Sequence, residues 1–170
     1  MKGITYIENF IDTHLELFEF LKSHVDWDER MYSRKTASFG NAYNYSQISY
    51  PYKEFPNELE TVISLIEQTL HFRPNNCLIN YYLDGKSKMG FHSDQTDILS
   101  ENTGVVIVSL GATRTLRFRN IKDKELIHDF TLPSGSLIYM TQEVQNHWQH
   151  AIPKSPTDFG RMSLTFRKMV

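Results

Sequence analysis

From Cys77 onward the chain is cut into short apolar segments by turn chemistry at regular intervals, and this punctuation limits the possible folds most. The segments run Cys77 to Tyr82, Val105 to Leu110, Thr115 to Arg119, Leu126 to Leu132, Ser136 to Met140 and Met162 to Lys168. Asp84-Gly85, Gly111-Ala112, Pro133-Ser134-Gly135 and Pro153 to Pro156 stand between them. Short strands so spaced close into a jelly roll or small barrel. Two helical patterns come first: Thr13-x-x-Glu16 reads as a capping box before Leu15, Phe18 and Leu21, and Pro56-Asn57 opens the stripe Leu59, Val62, Ile63, Ile66, Leu70. The expected architecture is mainly β with flanking helices, a jelly roll with the N-terminal helices packed outside. Residues 33 to 52, rich in Tyr, Ser and Asn, read as loop and short strand.

With 170 residues, 40% hydrophobic and 13% aromatic, the chain can pack one core. A single domain over 1–170 is expected, with 1–75 as helical support and loop and 76–170 as the β core. A net charge of −2 advertises no polyanion partner, so nucleic-acid binding would need a local basic patch. The single cysteine, Cys77, excludes a disulfide framework and a cysteine-rich zinc site and fits a reducing cytosol. No apolar run reaches membrane-spanning length. A cytoplasmic monomer with no membrane partner is the expectation.

The chemistry concentrates in three places. In "GFHSDQTD", His92 and Asp94 share one face if the backbone is extended, offering a nitrogen and an oxygen to one ion. Two ligands do not hold a metal tightly, and His128, His147 and His150 are the candidates for a third. A strand carrying His150 beside His92 and Asp94 would complete a facial set of two histidines and one carboxylate with open positions, which suits non-haem Fe(II) better than structural zinc. In "GRMSLTFRKMV", Met162, Leu164 and Phe166 take one face, and Arg161, Ser163, Thr165 and Arg167 the other. The arginine Cα atoms lie roughly 20 Å apart, yet both long side chains can converge on a small dianion. Asn80 and Tyr82 of "CLINYYLDG" share a face and can donate to the same carboxylates.

In this order, "NYY" at Asn80, "HSD" at His92, "HAIP" at His150 and "RMSLTFR" at Arg161 resemble the AlkB family of Fe(II)- and 2-oxoglutarate-dependent dioxygenases. "RKTASFGNAYNY" from Arg34, "VSLGATRTLRFR" from Val108 and "SGSLIYM" from Ser134 extend the likeness over about residues 30 to 170. The resemblance is strongest to members that repair alkylated nucleic acid. It implies a double-stranded β-helix with His92, Asp94 and His150 on iron, choosing His150 over His147. It implies 2-oxoglutarate held by Asn80, Tyr82, Arg161, Ser163, Thr165 and Arg167, with the arginines on its carboxylates and Arg167 counted with the catalytic set. Serine at 163 replaces the family's usual asparagine and is shorter. The implied reaction consumes O2, releases succinate and carbon dioxide, and oxidises an N-linked methyl that departs as formaldehyde.

For the substrate, the resemblance points to Tyr43 and Tyr45 as base-recognition residues and to Arg34 and Lys35 beside them as phosphate contacts. Arg114, Arg117 and Arg119 form a basic strand in which Arg117 and Arg119 share a face. Where related repair enzymes carry an acid four positions after the first metal histidine, this chain has Thr96, followed by Asp97. No aromatic wedge for opening a duplex stands near Asp28 to Met31, which favours single strands. The competing readings are an oxygenase acting on a protein or small molecule, a non-catalytic nucleic-acid-binding module, and a zinc hydrolase, for which the paired arginines have no task.

Overall fold

The computed structural model describes residues 1–170. In chain order the elements are β1 (Ile4–Ile7), α1 (His14–His24), β2 (Lys35–Gly40), β3 (Tyr43–Tyr45), β4 (Ile48–Tyr50), α2 (Asn57–Leu70), β5 (Asn76–Tyr82), β6 (Met89–His92), β7 (Val105–Gly111), β8 (Arg114–Asn120), β9 (Ile127–Leu132), β10 (Leu137–Met140), α3 (Gln142–His147), β11 (Trp148–Ile152) and β12 (Arg161–Arg167). A six-stranded sheet runs β1-β10-β7-β12-β5-β2 and a four-stranded sheet β6-β11-β8-β9; every pairing is antiparallel. This is the jelly roll with outer helices that the strand spacing predicts. A hairpin, β3-β4, is the third sheet.

The large sheet has two buried faces. On the helix side, Met162, Leu164 and Phe166 of β12, Ile79 and Tyr81 of β5, and Val106, Val108 and Leu110 of β7 pack with Leu59, Val62, Ile63 and Ile66 of α2. On the inner side, Val105 and Ile107 join Leu116 and Phe118 of β8 in the core between the sheets. The period-two pattern of β12 therefore sorts apolar residues toward the helices and polar residues toward the interior of the roll.

Residues 33 to 52 hold the expected loop and short strand, as β2, β3 and β4. β2 pairs with β5 along six residues, and Thr36, Ala37, Ser38 and Phe39 are all buried, the polar and apolar residues alternating between its two covered faces. The expectations that need correction concern α1. In α1 the buried residues are Leu17 and Leu21, spaced i, i+4, while Leu15 is 66% exposed. The capping box also fails. Thr13 occupies the N-cap with ψ 32° and makes no side-chain cap bond, because capping geometry needs an extended residue there. By contrast, α2 starts where Pro56-Asn57 predicts, with the Pro56 carbonyl accepting from the Leu59 and Glu60 amides.

Candidate metal and co-substrate site

β6 and β11 pair antiparallel with His92 directly opposite His150. The strand carrying His150 thus lies beside the strand ending in His92, and Asp94 follows two residues on. The His92 Nε2 to Asp94 Oδ1 distance is 3.6 Å, and that from His150 Nε2 to Asp94 Oδ2 is 3.5 Å. All three donor atoms lie within 4.8 Å of one another. Bonds of about 2.1 Å to a shared ion set neighbouring donors roughly 3 to 3.5 Å apart, so the set fits one cation with little adjustment.

Neighbouring groups orient these side chains. His92 Nδ1 lies 2.9 Å from the Gly90 carbonyl oxygen, which leaves Nε2 turned toward Asp94. The Asp94 backbone amide donates to Gln145 Oε1 at 2.7 Å, and the Ser93 hydroxyl donates to the Trp148 carbonyl at 2.9 Å. Gln145, on α3, is buried and was not singled out from sequence; only the fold shows that its helix backs the His92–Asp94 turn. Burial opposes ionisation of Asp94, but His92, His150 and Arg167 overcome it and hold the carboxyl well below its usual range. Burial lowers His150 to about 4, keeping a neutral imidazole available as a ligand at neutral pH. For His92 burial also works downward, but Asp94 and the Gly90 carbonyl outweigh it and the net direction is up.

The polar face of β12 opens onto the same cavity. Its lining includes His92, Asp94, His150, Asn80, Tyr82, Arg161, Ser163, Thr165, Arg167 and Tyr45, with Leu78, Met89, Ile107, Leu116 and Ile152 as an apolar wall. Arg161 is 1% exposed and Arg167 4%. Arg161 donates one Nη2 bond to Ser109 Oγ at 2.9 Å, and its Nε and Nη1 have no partner. Arg167 approaches Asp94 Oδ1 at 3.8 Å, and its Nε and Nη1 are likewise unpartnered. A buried guanidinium without acceptors costs several kcal/mol. Two on one small cavity wall fit a dicarboxylate with ends to be neutralised. Burial lowers Arg161 to about 10, which leaves it cationic at neutral pH. Ser109, which steadies Arg161, was also missed from sequence, where the run Val105 to Leu110 signals only an apolar strand.

A family model described as the 2OG-Fe(II) oxygenase superfamily matches residues 13–167. The chain belongs to the 2OG-Fe(II) oxygenase superfamily. The chain is similar to AlkB proteins: it is 32% identical over 171 residues to alpha-ketoglutarate-dependent dioxygenase alkB homolog 3 of Mus musculus, covering 89% of this chain and 60% of that one. It is 30% identical over 149 residues to DNA oxidative demethylase ALKBH2 of Homo sapiens, covering 81% and 57%. The chain thus spans about three fifths of the length of these relatives. The solved structure of OsALKBH1 superposes with a TM-score of 0.75 at 16% identity over 99% of both chains, a likeness of fold.

The remaining residues singled out in the sequence fall in different places. Arg34 donates from Nε to Asn80 Oδ1 at 2.8 Å and from Nη2 to the Tyr45 hydroxyl, tying the hairpin to the cavity wall. Tyr43 is buried and lies under the Arg167 guanidinium, 5.0 Å from ring centroid to Cζ. Thr96 is half-buried in the turn after Asp94, where its carbonyl accepts the Leu99 amide, and Asp97 is exposed. Arg117 is paired across the strands with Asp129, at 2.8 and 2.9 Å. Arg119 lies 3.9 Å over the Phe91 ring and donates to Gln149. Arg114, the third cation of the basic strand, is 2% exposed and donates to the carbonyls of Asp84, Ser87 and Pro153, so it presents no charge to the surface. Of the other histidines, His128 is exposed on β9 and His147 lies outside the cavity at the end of α3.

Proposed function

We propose that this chain is an Fe(II)- and 2-oxoglutarate-dependent oxidative demethylase that removes N-alkyl groups, such as those of 1-methyladenine and 3-methylcytosine, from DNA or RNA, single strands favoured. The observation that carries the reading is the meeting of the His92, Asp94 and His150 donors with two buried, under-partnered arginines on one cavity. When bound, iron and 2-oxoglutarate with O2 supply oxidation of a C–H bond, yielding succinate and carbon dioxide, and an oxidised N-methyl leaves as formaldehyde.

The chain's residues divide that work. His92, Asp94 and His150 would hold the metal as two imidazole donors and one carboxylate donor, a set that suits Fe(II). Arg161 and Arg167 neutralise the carboxylates of 2-oxoglutarate, while Ser163, Thr165, Tyr82 and Asn80 offer hydrogen bonds along its length. Because Arg34 occupies Asn80 Oδ1, the Asn80 amide NH2 is the group left to face the co-substrate. The wall of Leu78, Met89, Ile107, Leu116 and Ile152 keeps water from the reacting carbon. At the mouth, Tyr45 and Arg34 receive the extruded base, with Tyr43 supporting from below and Thr96 beside it. Arg117 reaches a phosphate only by sharing or releasing Asp129.

The test is incubation with Fe(II), 2-oxoglutarate and single-stranded oligonucleotides carrying methylated bases, read by mass and by formaldehyde release. Loss of the methyl mass is expected. Protein that decarboxylates 2-oxoglutarate yet leaves a broad panel of methylated bases untouched would move the substrate to another class.

A further inference from the structure

A second concave surface lies outside the cavity. One wall comes from residues 29 to 35 and the other from residues 83 to 88 with Lys154. Five of its lining residues are cations, Arg34, Lys35, Lys86, Lys88 and Lys154, against the two carboxylates Glu29 and Asp84, in a chain whose net charge is −2. Glu29 is engaged by Lys35 at 3.1 Å, and Asp84 Oδ1 accepts the Lys86 backbone amide. Lys86, Lys88 and Lys154 are exposed and make no ion pair. Tyr32, on the opposite wall, is fully exposed at 106%.

The lysine wall is preorganised. Buried Arg114 donates to the Ser87 and Pro153 carbonyls at 2.7 Å each and to Asp84 O at 3.3 Å. The Gly85 amide donates to Thr157 O and the Ser155 amide to Gly85 O, both at 2.8 Å. These bonds clamp the loop after β5 to the loop after β11, which brings Lys154 onto one face with the sequence-distant Lys86 and Lys88. Arg34 links this groove to the cavity, since it lines the groove and donates to Asn80 and Tyr45, which line the cavity.

We infer that this groove is the track for the sugar-phosphate backbone of a single-stranded nucleic acid flanking the base held in the cavity. Lys86, Lys88 and Lys154 neutralise successive phosphates, and Tyr32 stacks on a neighbouring base. A row of cations with an exposed aromatic on the same groove, beside the proposed active site, is the pattern that binds single strands without reading sequence. A flexible acidic peptide satisfies the lysines but leaves Tyr32 without a stacking partner. The inference deepens the demethylase reading and rests on it for the choice of partner.

The experiment measures binding of an unmodified fluorescent oligothymidylate of about 15 nucleotides by anisotropy across a salt series, with intact wild-type protein and with the exposed triple variant Lys86→Gln/Lys88→Gln/Lys154→Gln. Loss of three phosphate contacts is expected to flatten the slope of log affinity against log salt by about 2 and to weaken binding about tenfold near physiological salt. Tyr32→Ala is expected to weaken binding at all salt concentrations without changing the slope. The triple variant should keep its 2-oxoglutarate decarboxylation and its turnover of a methylated trinucleotide, while KM rises on the long strand. An unchanged slope, an equal loss on trinucleotide and long strand, or competition by poly-glutamate as effective as by oligothymidylate overturns the inference. Because the bound strand carries no methyl group, failure of the demethylase reading shows separately, as a methylated panel left intact by protein whose salt slope still responds.

Discussion

The site's chemistry turns on a few side chains whose neighbours are as telling as they are. Arg167 lies 3.8 Å from Asp94 Oδ1 and over the Tyr43 ring, so in the proposed function one cation would serve both the metal carboxylate and the co-substrate end of the cavity. His92→Ala is expected to abolish turnover by removing a metal donor. Arg167→Lys should still bind Mn(II), a stand-in for Fe(II), while its KM for 2-oxoglutarate rises at least tenfold, because an ammonium lacks the planar fork. Calorimetry with Mn(II) and with 2-oxoglutarate separates the two losses. Gln145→Leu, close in volume, removes the acceptor of the Asp94 amide; a 10- to 100-fold drop in Mn(II) affinity is expected, on the general cost of losing a ligand-orienting partner. Unchanged affinity would show that the turn after His92 holds itself without α3.

Among the elements, β12 carries the most. It lies centrally between β7 and β5, has all seven residues buried, and presents Met162, Leu164 and Phe166 to one core and its polar residues to the other side. That division was legible because strict alternation survives burial when one buried face is polar. β2 carries the same alternation, with Ala37 and Phe39 facing the helices and Thr36 and Ser38 making polar contacts on the other side, but it covers only four residues and does not stand out from the loop around it. The face of α1 was misread because aromatic and aliphatic residues ring it, so more than one stripe fits a 3.6 period. A matched pair of variants tests the helix faces. Ile66→Ala, in the core of α2, is expected to cost about 2 to 5 kcal/mol in urea unfolding, and Leu15→Ala, exposed on α1, about 0.5 kcal/mol or less.

At the scale of the whole molecule, the two sheets close over a cavity where charge is concentrated, so stability should follow pH and ligand. His150 falls from 6.5 to about 4 on folding. Between those values the unfolded chain binds the extra proton, so metal-free protein loses stability as pH falls from about 6.5 to about 4, and Asp94 extends the loss below. His92, raised, contributes in the opposite sense: its share is present at low pH and lost as pH rises through its folded value. Urea midpoints of the wild type should drop across the acid window, and those of His150→Gln should drop less. Mn(II) with 2-oxoglutarate should raise the thermal midpoint, by about 2.7 kcal/mol of stabilisation at a hundredfold excess over Kd; Arg161→Ala should lose the 2-oxoglutarate increment and keep the metal one.

Sequence alone determined β5, β7, β8, β9 and β10, the two-faced β12 and the His92, Asp94 pair, because side-chain alternation and turn chemistry are local properties of the chain. Choosing among the three candidate histidines on physical grounds needed the β6–β11 register, which sets His150 opposite His92 and sends His147 elsewhere. Tertiary structure alone decided the fate of the basic strand: alternation assigns a face, not its cover, so Arg114 became a buried clamp and Arg117 an ion pair with Asp129. The same clamp assembled Lys86, Lys88 and Lys154, separated by up to 68 positions, into one basic wall on a chain whose net charge is −2.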